Sequence, residues 1–172
     1  MKANLIEIND FLSLEKYSDM EHIKEALFKL DDFCSANRIE YIVTGTTALS
    51  MLGVPSRPQD IDIKVLHLNE EQKAKLKELQ FLSGLEIEDY EEGDCYSFMI
   101  SGIKINAIID KVEKYYETMS EKVVLSIVDE HNVKHHLINV QLVDSALRDK
   151  MKLKRYKDKA YMLNLIAILA SL

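Results

Sequence analysis

Two aspartates separated by one apolar residue, Asp60 and Asp62, stand in an otherwise apolar segment. Side chains alternate across a β-strand, so both carboxylates point to one face of the predicted strand while Ile61 and Ile63 point to the other. Carboxylates about 6–7 Å apart along a strand can bridge a hard divalent cation, and Mg²⁺ prefers such oxygen ligands. The pair therefore predicts a cation site. Without a cation the two carboxylates repel each other, which should raise one pKa of the pair.

A second chemical feature lies upstream of the aspartates, where a predicted strand ends at Gly45 and a short helix begins. Glycine lets a phosphate approach the backbone closely, and the free N–H groups at a helix start favour an anion. The hydroxyls of Thr46 and Thr47 can donate hydrogen bonds to phosphate oxygens. Together with the aspartates, this turn predicts a site for a nucleotide and its metal ion.

The segment YIVTGTTALSMLGVPSRPQDIDI resembles the signature of the nucleotidyltransferase superfamily, the DNA polymerase beta-like fold. In that signature a glycine and a small residue precede two aspartates around an apolar residue. The segment is most similar to small bacterial nucleotidyltransferase-like proteins, including abortive-infection toxins. Thr46 departs from the pattern, because the family usually has glycine or serine there. A threonine keeps the hydroxyl but crowds the turn.

Two later segments extend the resemblance. The family has a third carboxylate on a later strand, and Asn106 stands at the matching position in GIKINAIID. The segment DKMKLKRYKDKAYMLNLI resembles the C-terminal helical region, whose cleft-facing cations would be Lys150, Arg155 and Lys157, followed by Asp158. The alternative interpretation of these lysines is a solvated helix face.

Two further features have structural interpretations beside functional ones. Arg57 can hold a phosphate with both arms of its guanidinium group, and pairing with Asp60 explains it equally well. His135 and His136 are neighbours, so on a strand they point in opposite directions. No metal site is predicted at these histidines.

The resemblance implies the transfer of a nucleoside monophosphate from a nucleoside triphosphate to an acceptor, with release of pyrophosphate. Asp60 and Asp62 would hold Mg²⁺ or Mn²⁺, and Gly45 and Thr46 would seat the phosphates. Asn106 favours an alternative, because an amide is neither charged nor basic. In that alternative the chain is a catalytically weak or inactive nucleotide-binding module or a toxin–antitoxin component. A scaffold without a ligand is a third interpretation. The acceptor stays open among small molecules, RNA and protein.

The elements that must position these residues alternate along the chain, which predicts an α/β fold with a mixed sheet. We expect one domain over residues 1–172, with a core at about 18–140 and a helical C-terminal section at about 141–172. The first predicted helix ends near Ala36, and further helices are predicted at 46–52, 69–79 and 111–119. Two more helical pieces are predicted after 141, with a break near 154–157. The predicted strands are 41–43, 60–66, 96–100, 103–109, 123–128 and 133–138, and 84–94 is predicted as an exposed loop or weak strand.

Bulk properties exclude some classes of function. The formal net charge of the 172 residues is -7, which argues against a uniformly basic nucleic-acid binder but leaves room for a local basic patch. Cys34 and Cys95 lack metal-ligand spacing, which favours a reducing, cytoplasmic compartment. The start MKANLIEINDF lacks the apolar core of a signal peptide, and YMLNLIAILASL is too short to cross a bilayer, so no membrane partner is expected. No oligomeric state is predicted.

Overall fold

The computed structural model describes residues 5–7, 20–54, 56–85, 95–109, 122–131, 133–153 and 155–170. The predicted α/β class with a mixed sheet is confirmed. The described strands are β1 (Leu5–Glu7), β2 (Glu40–Thr44), β3 (Asp60–Leu66), β4 (Cys95–Ile100), β5 (Ile103–Ile109), β6 (Lys122–Asp129) and β7 (Lys134–Gln141). The described helices are α1 (Glu21–Ala36), α2 (Gly45–Met51), α3 (Glu70–Ser83), α4 (Val143–Leu153) and α5 (Tyr156–Ala170).

Two predicted segments, the helix at 111–119 and most of the acidic stretch at 84–94, lie outside the described residues. One described strand was not predicted. β1 precedes residue 18, where the core was expected to begin, and it pairs in parallel with β6. The α3 helix continues four residues beyond the predicted end at Leu79 and stops at Gly84, whose left-handed backbone forms the C-cap.

The strands form one sheet in the order β1-β6-β7-β2-β3-β5-β4. Strand β3, which carries the aspartates, lies between β2, to which it is antiparallel, and β5, to which it is parallel. The predicted hairpin between β4 and β5 is confirmed. Its turn residues Ser101 and Gly102 both have positive φ, as a two-residue turn between twisted strands requires.

One face of the sheet is apolar and is covered by α1. The helix presents an apolar stripe at helical spacing, and the strands present every second residue to it. Burying each of these aliphatic side chains contributes about 1.5–3 kcal/mol, so this layer holds the sheet in register. The fully buried members include Ile23, Leu30, Ile61, Ile63, Val65, Ile105 and Ile138.

The opposite face of the sheet is polar along one row. Thr44, Asp62, Asn106 and Ser97 stand opposite one another on β2, β3, β5 and β4. Neighbouring strands are about 4.8 Å apart, so consecutive members of this row are within hydrogen-bonding reach. The α2 helix begins directly after Thr44, at the end of the row, and α4 packs beside α2. Among the described residues, no helix combines the length and apolar character needed to cross a membrane.

Candidate active site

The carboxylates of Asp60 and Asp62 lie on the polar face of β3, as the alternation of side chains predicted. Both residues are partly exposed. Asn106 faces them from the neighbouring strand β5, where it pairs with Asp62. Its amide nitrogen donates to Asp62 Oδ1 at 2.9 Å and lies 3.4 Å from Asp60 Oδ2. The sequence-predicted trio is therefore brought together, and its third member is a neutral hydrogen-bond donor.

Gly45 lies against the other side of Asp62. Its φ is +66°, and a Cβ built at this position would stand 3.0 Å from Asp62 Oδ2. A side chain would therefore meet the carboxylate and would also strain the left-handed backbone. The glycine allows this close approach between the turn and the carboxylate without strain. It leaves the Asp62 oxygen facing the start of α2.

The two threonines of the turn have different surroundings. The Thr46 hydroxyl accepts a hydrogen bond from Lys150 Nζ at 2.9 Å, which brings a cation from α4 to the turn. The Thr47 hydroxyl is buried and donates to the backbone carbonyl of Asp60 at 2.7 Å. Thr46 therefore lies beside a positive charge, while Thr47 ties the start of α2 to the start of β3.

The C-terminal cations are organised around Asp158, which is 3% exposed. Arg155 Nε donates to Asp158 Oδ2 at 2.6 Å, and Lys150 Nζ lies 3.5 Å from Asp158 Oδ1. The ammonium of Lys150 also lies 5.1 Å from the centre of the Tyr161 ring, at a distance typical of a cation–π contact. Asp158 therefore fixes Lys150 where it can reach the turn. Arg155 is exposed and contacts the site through Asp158.

Burial raises the pKa of Asp62, and the neighbouring charge of Asp60 raises it further. The hydrogen bond from Asn106 and the positive charges of Lys150 and Lys157 act in the opposite direction. The direction is the one expected for one member of the pair, but burial contributes more to it than the repulsion between the two carboxylates. The pair is thus only partly compensated by the protein, and a further positive charge beside it would stabilise both ionised carboxylates.

Arg57 is exposed in the segment before β3. The neighbouring Pro58 carbonyl lies 2.6 Å from His22 Nε2, which ties this segment to α1.

A second group of ligand-type side chains lies on the helix-covered side of the sheet. This group consists of Asp31, Asp32 and His136. Each residue offers one ligand atom, and these three atoms lie within 4.8 Å of one another, which is a geometry that can hold a metal ion. Asp31 already accepts from Tyr41 Oη at 2.8 Å and pairs with His136 Nδ1 at 2.7 Å. Asp32 pairs with Lys134.

Sequence reasoning missed this second group. His135 and His136 do point in opposite directions, exposed and buried respectively, but the sequence gave no reason to associate His136 with α1. The available signal was Asp31 itself, which follows Leu27 and Leu30 within the apolar stripe of the helix. A carboxylate at a buried position needs hydrogen-bond donors from elsewhere in the chain.

Comparison with known proteins supports the fold assignment. No family model and no curated protein matches the chain. Among solved structures, the chain is similar to a candidate nucleotidyltransferase from Thermotoga maritima, with a TM-score of 0.53, 18% identity, and coverage of 95% of this chain and 97% of that one. It is also similar to an antigenic nucleotidyltransferase-like protein from Paracoccidioides brasiliensis, with a TM-score of 0.51, 13% identity, and coverage of 89% and 78%.

The fold is that of nucleotidyltransferase-like proteins. At these identities the two likenesses concern the fold, which agrees with the resemblance carried by Gly45, Asp60 and Asp62.

Proposed function

We propose that this protein binds a nucleoside triphosphate together with Mg²⁺ or Mn²⁺ and transfers the nucleoside monophosphate to an acceptor. The observation that carries the proposal is a convergence. The Asp62 carboxylate lies against Gly45, where an added Cβ would stand 3.0 Å from Asp62 Oδ2, and Lys150 reaches the adjacent Thr46. This adjacency supports a phosphate position at the turn beside a cation position at the carboxylates.

The donor set fits a hard divalent cation. Asp60 and Asp62 supply carboxylate oxygens from one face of a rigid strand, and both remain partly exposed. Mg²⁺ is usually bound by one or two carboxylates together with water and substrate phosphates. When bound, the cation would neutralise charge on the triphosphate and on the leaving pyrophosphate.

The residues of the chain have separate roles in this proposal. Gly45 and Thr46 seat the phosphates, and Lys150, held by Asp158, adds positive charge beside them. Lys157 contributes to the same positive potential, and Arg57 and Arg155 are candidates for outer phosphate contacts. Thr47 positions the strand by binding its backbone.

Transfer itself requires in-line attack of an acceptor oxygen on the α-phosphorus. The new P–O bond forms as the bond to pyrophosphate breaks, and the acceptor proton passes to a carboxylate or to water. Asn106 cannot accept that proton, because its amide nitrogen is not basic and points at the carboxylates.

Asn106 therefore favours a second candidate function, in which the protein binds the nucleotide and transfers slowly or not at all. In that case the protein acts through association, for example as a toxin–antitoxin component. The two candidates share the binding site and differ in the chemical step.

Binding is tested by thermal unfolding with each common ribonucleoside triphosphate, with Mg²⁺ and with EDTA. At about a hundredfold excess over Kd, a bound ligand stabilises the fold by about 2.7 kcal/mol, which corresponds to a Tm increase of roughly 5–10 °C. The increase should disappear with EDTA and in Asp60→Asn but persist in the control Asp32→Asn. Without a metal-dependent shift for any nucleotide, the proposal fails.

Transfer is tested with triphosphates labelled at the α-phosphate or at the γ-phosphate, incubated with separate small-molecule, RNA and protein fractions of a cell extract. Transfer of the nucleoside monophosphate carries the α-label to an acceptor and leaves the γ-label in pyrophosphate. Binding without label transfer would select the second candidate.

A further inference from the structure

The orientation of the Asn106 amide is dictated by its neighbours. Ionised carboxylates only accept hydrogen bonds, so the amide must present its nitrogen to Asp60 and Asp62. The amide oxygen then accepts from the Ser97 hydroxyl at 2.9 Å. Ser97 is 1% exposed and Asn106 is 3% exposed, so water does not compete for these positions. The amide is held on both sides.

This orientation of the amide gives the oxygens of the carboxylate pair two different environments. On the β5 side, the amide hydrogens face Asp62 Oδ1 and Asp60 Oδ2. On the α2 side, Asp62 Oδ2 faces Gly45. A cation on the β5 side would meet the hydrogens of the amide, whereas the α2 side offers an oxygen next to the phosphate turn.

A second observation concerns Lys104, which is paired with Asp60 across β3 and β5. It lies two residues before Asn106 and therefore on the same face of β5. The β5 side of the pair thus carries a lysine and an amide, where a second divalent cation would need acidic ligands. Both features act against a second cation at this position.

We infer that the Asp60–Asp62 pair binds a single divalent cation, on its α2 side, and that the Asn106 amide held by Ser97 sets this limit. The inference rests on the proposed function and specifies its metal stoichiometry. Many phosphoryl-transfer sites use two cations about 3.5–4 Å apart. In this chain the amide donates to the carboxylates from the place that a second cation would occupy.

The test is the stoichiometry of Mn²⁺ bound in the presence of a saturating non-hydrolysable triphosphate analogue, measured by calorimetry and by EPR detection of free Mn²⁺. The analogue is in excess over the protein, and its free fraction also binds Mn²⁺, so that amount is measured separately and subtracted. After the subtraction, the wild type with bound analogue should hold one Mn²⁺ per chain. Asn106→Asp should bind two, with the spectrum of a coupled pair. Asn139→Asp is the matched control, because Asn139 lies on the same sheet face but on β7, and it should still bind one.

Two Mn²⁺ ions in the wild type with the spectrum of a coupled pair would overturn the inference while leaving the proposed function intact. One Mn²⁺ in a folded Asn106→Asp protein would also overturn it, because the limit would then be set elsewhere. No Mn²⁺ on the wild type would contradict the proposed function and the inference together. If Asn106→Asp fails to fold, the wild-type measurement still tests the number of cations, and Asn106→Ala, which removes the amide, tests its role: a second Mn²⁺ or a loosened limit in that variant supports the inference, and an unchanged single Mn²⁺ overturns the role of the amide.

Discussion

In the part of the chain that the structure describes, two pairs of aspartates lie on opposite sides of one sheet, and the negative charge of each pair is compensated differently. On the α1 side, Asp31 accepts from Tyr41 and pairs with His136, and Asp32 pairs with Lys134. On the polar side, Asp60 and Asp62 face the neutral amide of Asn106, and the charges of Lys150 and Lys157 act on Asp62 without a direct ion pair being shown. Donor geometry alone therefore does not identify a ligand site. A site for an external cation also needs negative charge that the protein compensates only in part.

The largest effect on stability is expected from removing Asp31. Asp31→Ala leaves the buried Tyr41 hydroxyl and His136 ring without their acceptor, and each unsatisfied group costs about 1–3 kcal/mol. We expect the free energy of unfolding in urea to fall by roughly 2–4 kcal/mol. Asp32→Ala is the control, and its effect should be much smaller, because Asp32 is half exposed. Equal losses in the two variants would show that Asp31 does not organise this cluster.

Gly45→Ala tests how closely the turn approaches the other pair. Its Cβ would contact Asp62 Oδ2 and force a left-handed alanine, so we expect a loss of about 1–2 kcal/mol of stability and weaker nucleotide binding. Gly84→Ala is the matched control. Gly84 has nearly the same φ, +64°, but no atom within 4 Å of the added Cβ, so it should lose stability through backbone strain alone. Nucleotide binding that survives Gly45→Ala unchanged would remove the turn from the site.

Asp158→Asn tests the support behind Lys150. Burial acts to raise the pKa of Asp158, but Arg155 and Lys150 together lower it below its usual value. A lowered pKa in the folded state stabilises the protein above the unfolded pKa, about 4, and this stability is lost as pH falls through the folded pKa.

We therefore expect Asp158→Asn to cost about 1 kcal/mol at pH 7 and nothing at strongly acid pH, measured by urea unfolding across pH. A cost that does not change with pH would indicate a loss of packing and would exclude a loss of charge.

Asp62→Asn should have the smallest effect on stability and a large effect on ligand binding. Burial and Asp60 raise the pKa of Asp62, so its ionised form destabilises the metal-free protein near neutral pH. Replacing it with a neutral isostere should leave Tm unchanged or slightly higher and weaken Mn²⁺ binding at least tenfold. A strongly destabilised Asp62→Asn protein would mean that this pair is structural, like Asp31.

How much of the structure could be predicted from the sequence depends on how far apart in the chain the contacting residues lie. The strands 60–66 and 103–109, the turn at Gly45 and the shared face of Asp60 and Asp62 follow from local patterns and were predicted. Asn106 was placed through the family resemblance. Its partner Ser97 was not named, although the predicted two-residue turn at Ser101 and Gly102 fixes the register of the hairpin and places Ser97 opposite Asn106.

Longer-range contacts could not be derived from the sequence. His136 meets Asp31 across 105 positions, and Lys150 meets Thr46 across 104. Such pairs depend on the order of strands in the sheet and on how α4 packs against α2, neither of which has a local sequence signal. The chemistry of the site was therefore easier to predict than the residues that surround and orient it.

The proposed metal position is tested most directly by pulsed EPR of one equivalent of Mn²⁺ bound to the wild-type protein with a non-hydrolysable nucleoside triphosphate analogue. Hyperfine couplings identify the atoms that coordinate the ion. We expect coupling to phosphorus and no directly bound histidine nitrogen, because the ion should lie at Asp60 and Asp62 beside the phosphates. Coupling to a histidine nitrogen without phosphorus would place the ion at Asp31 and His136 and would rule out the proposed position.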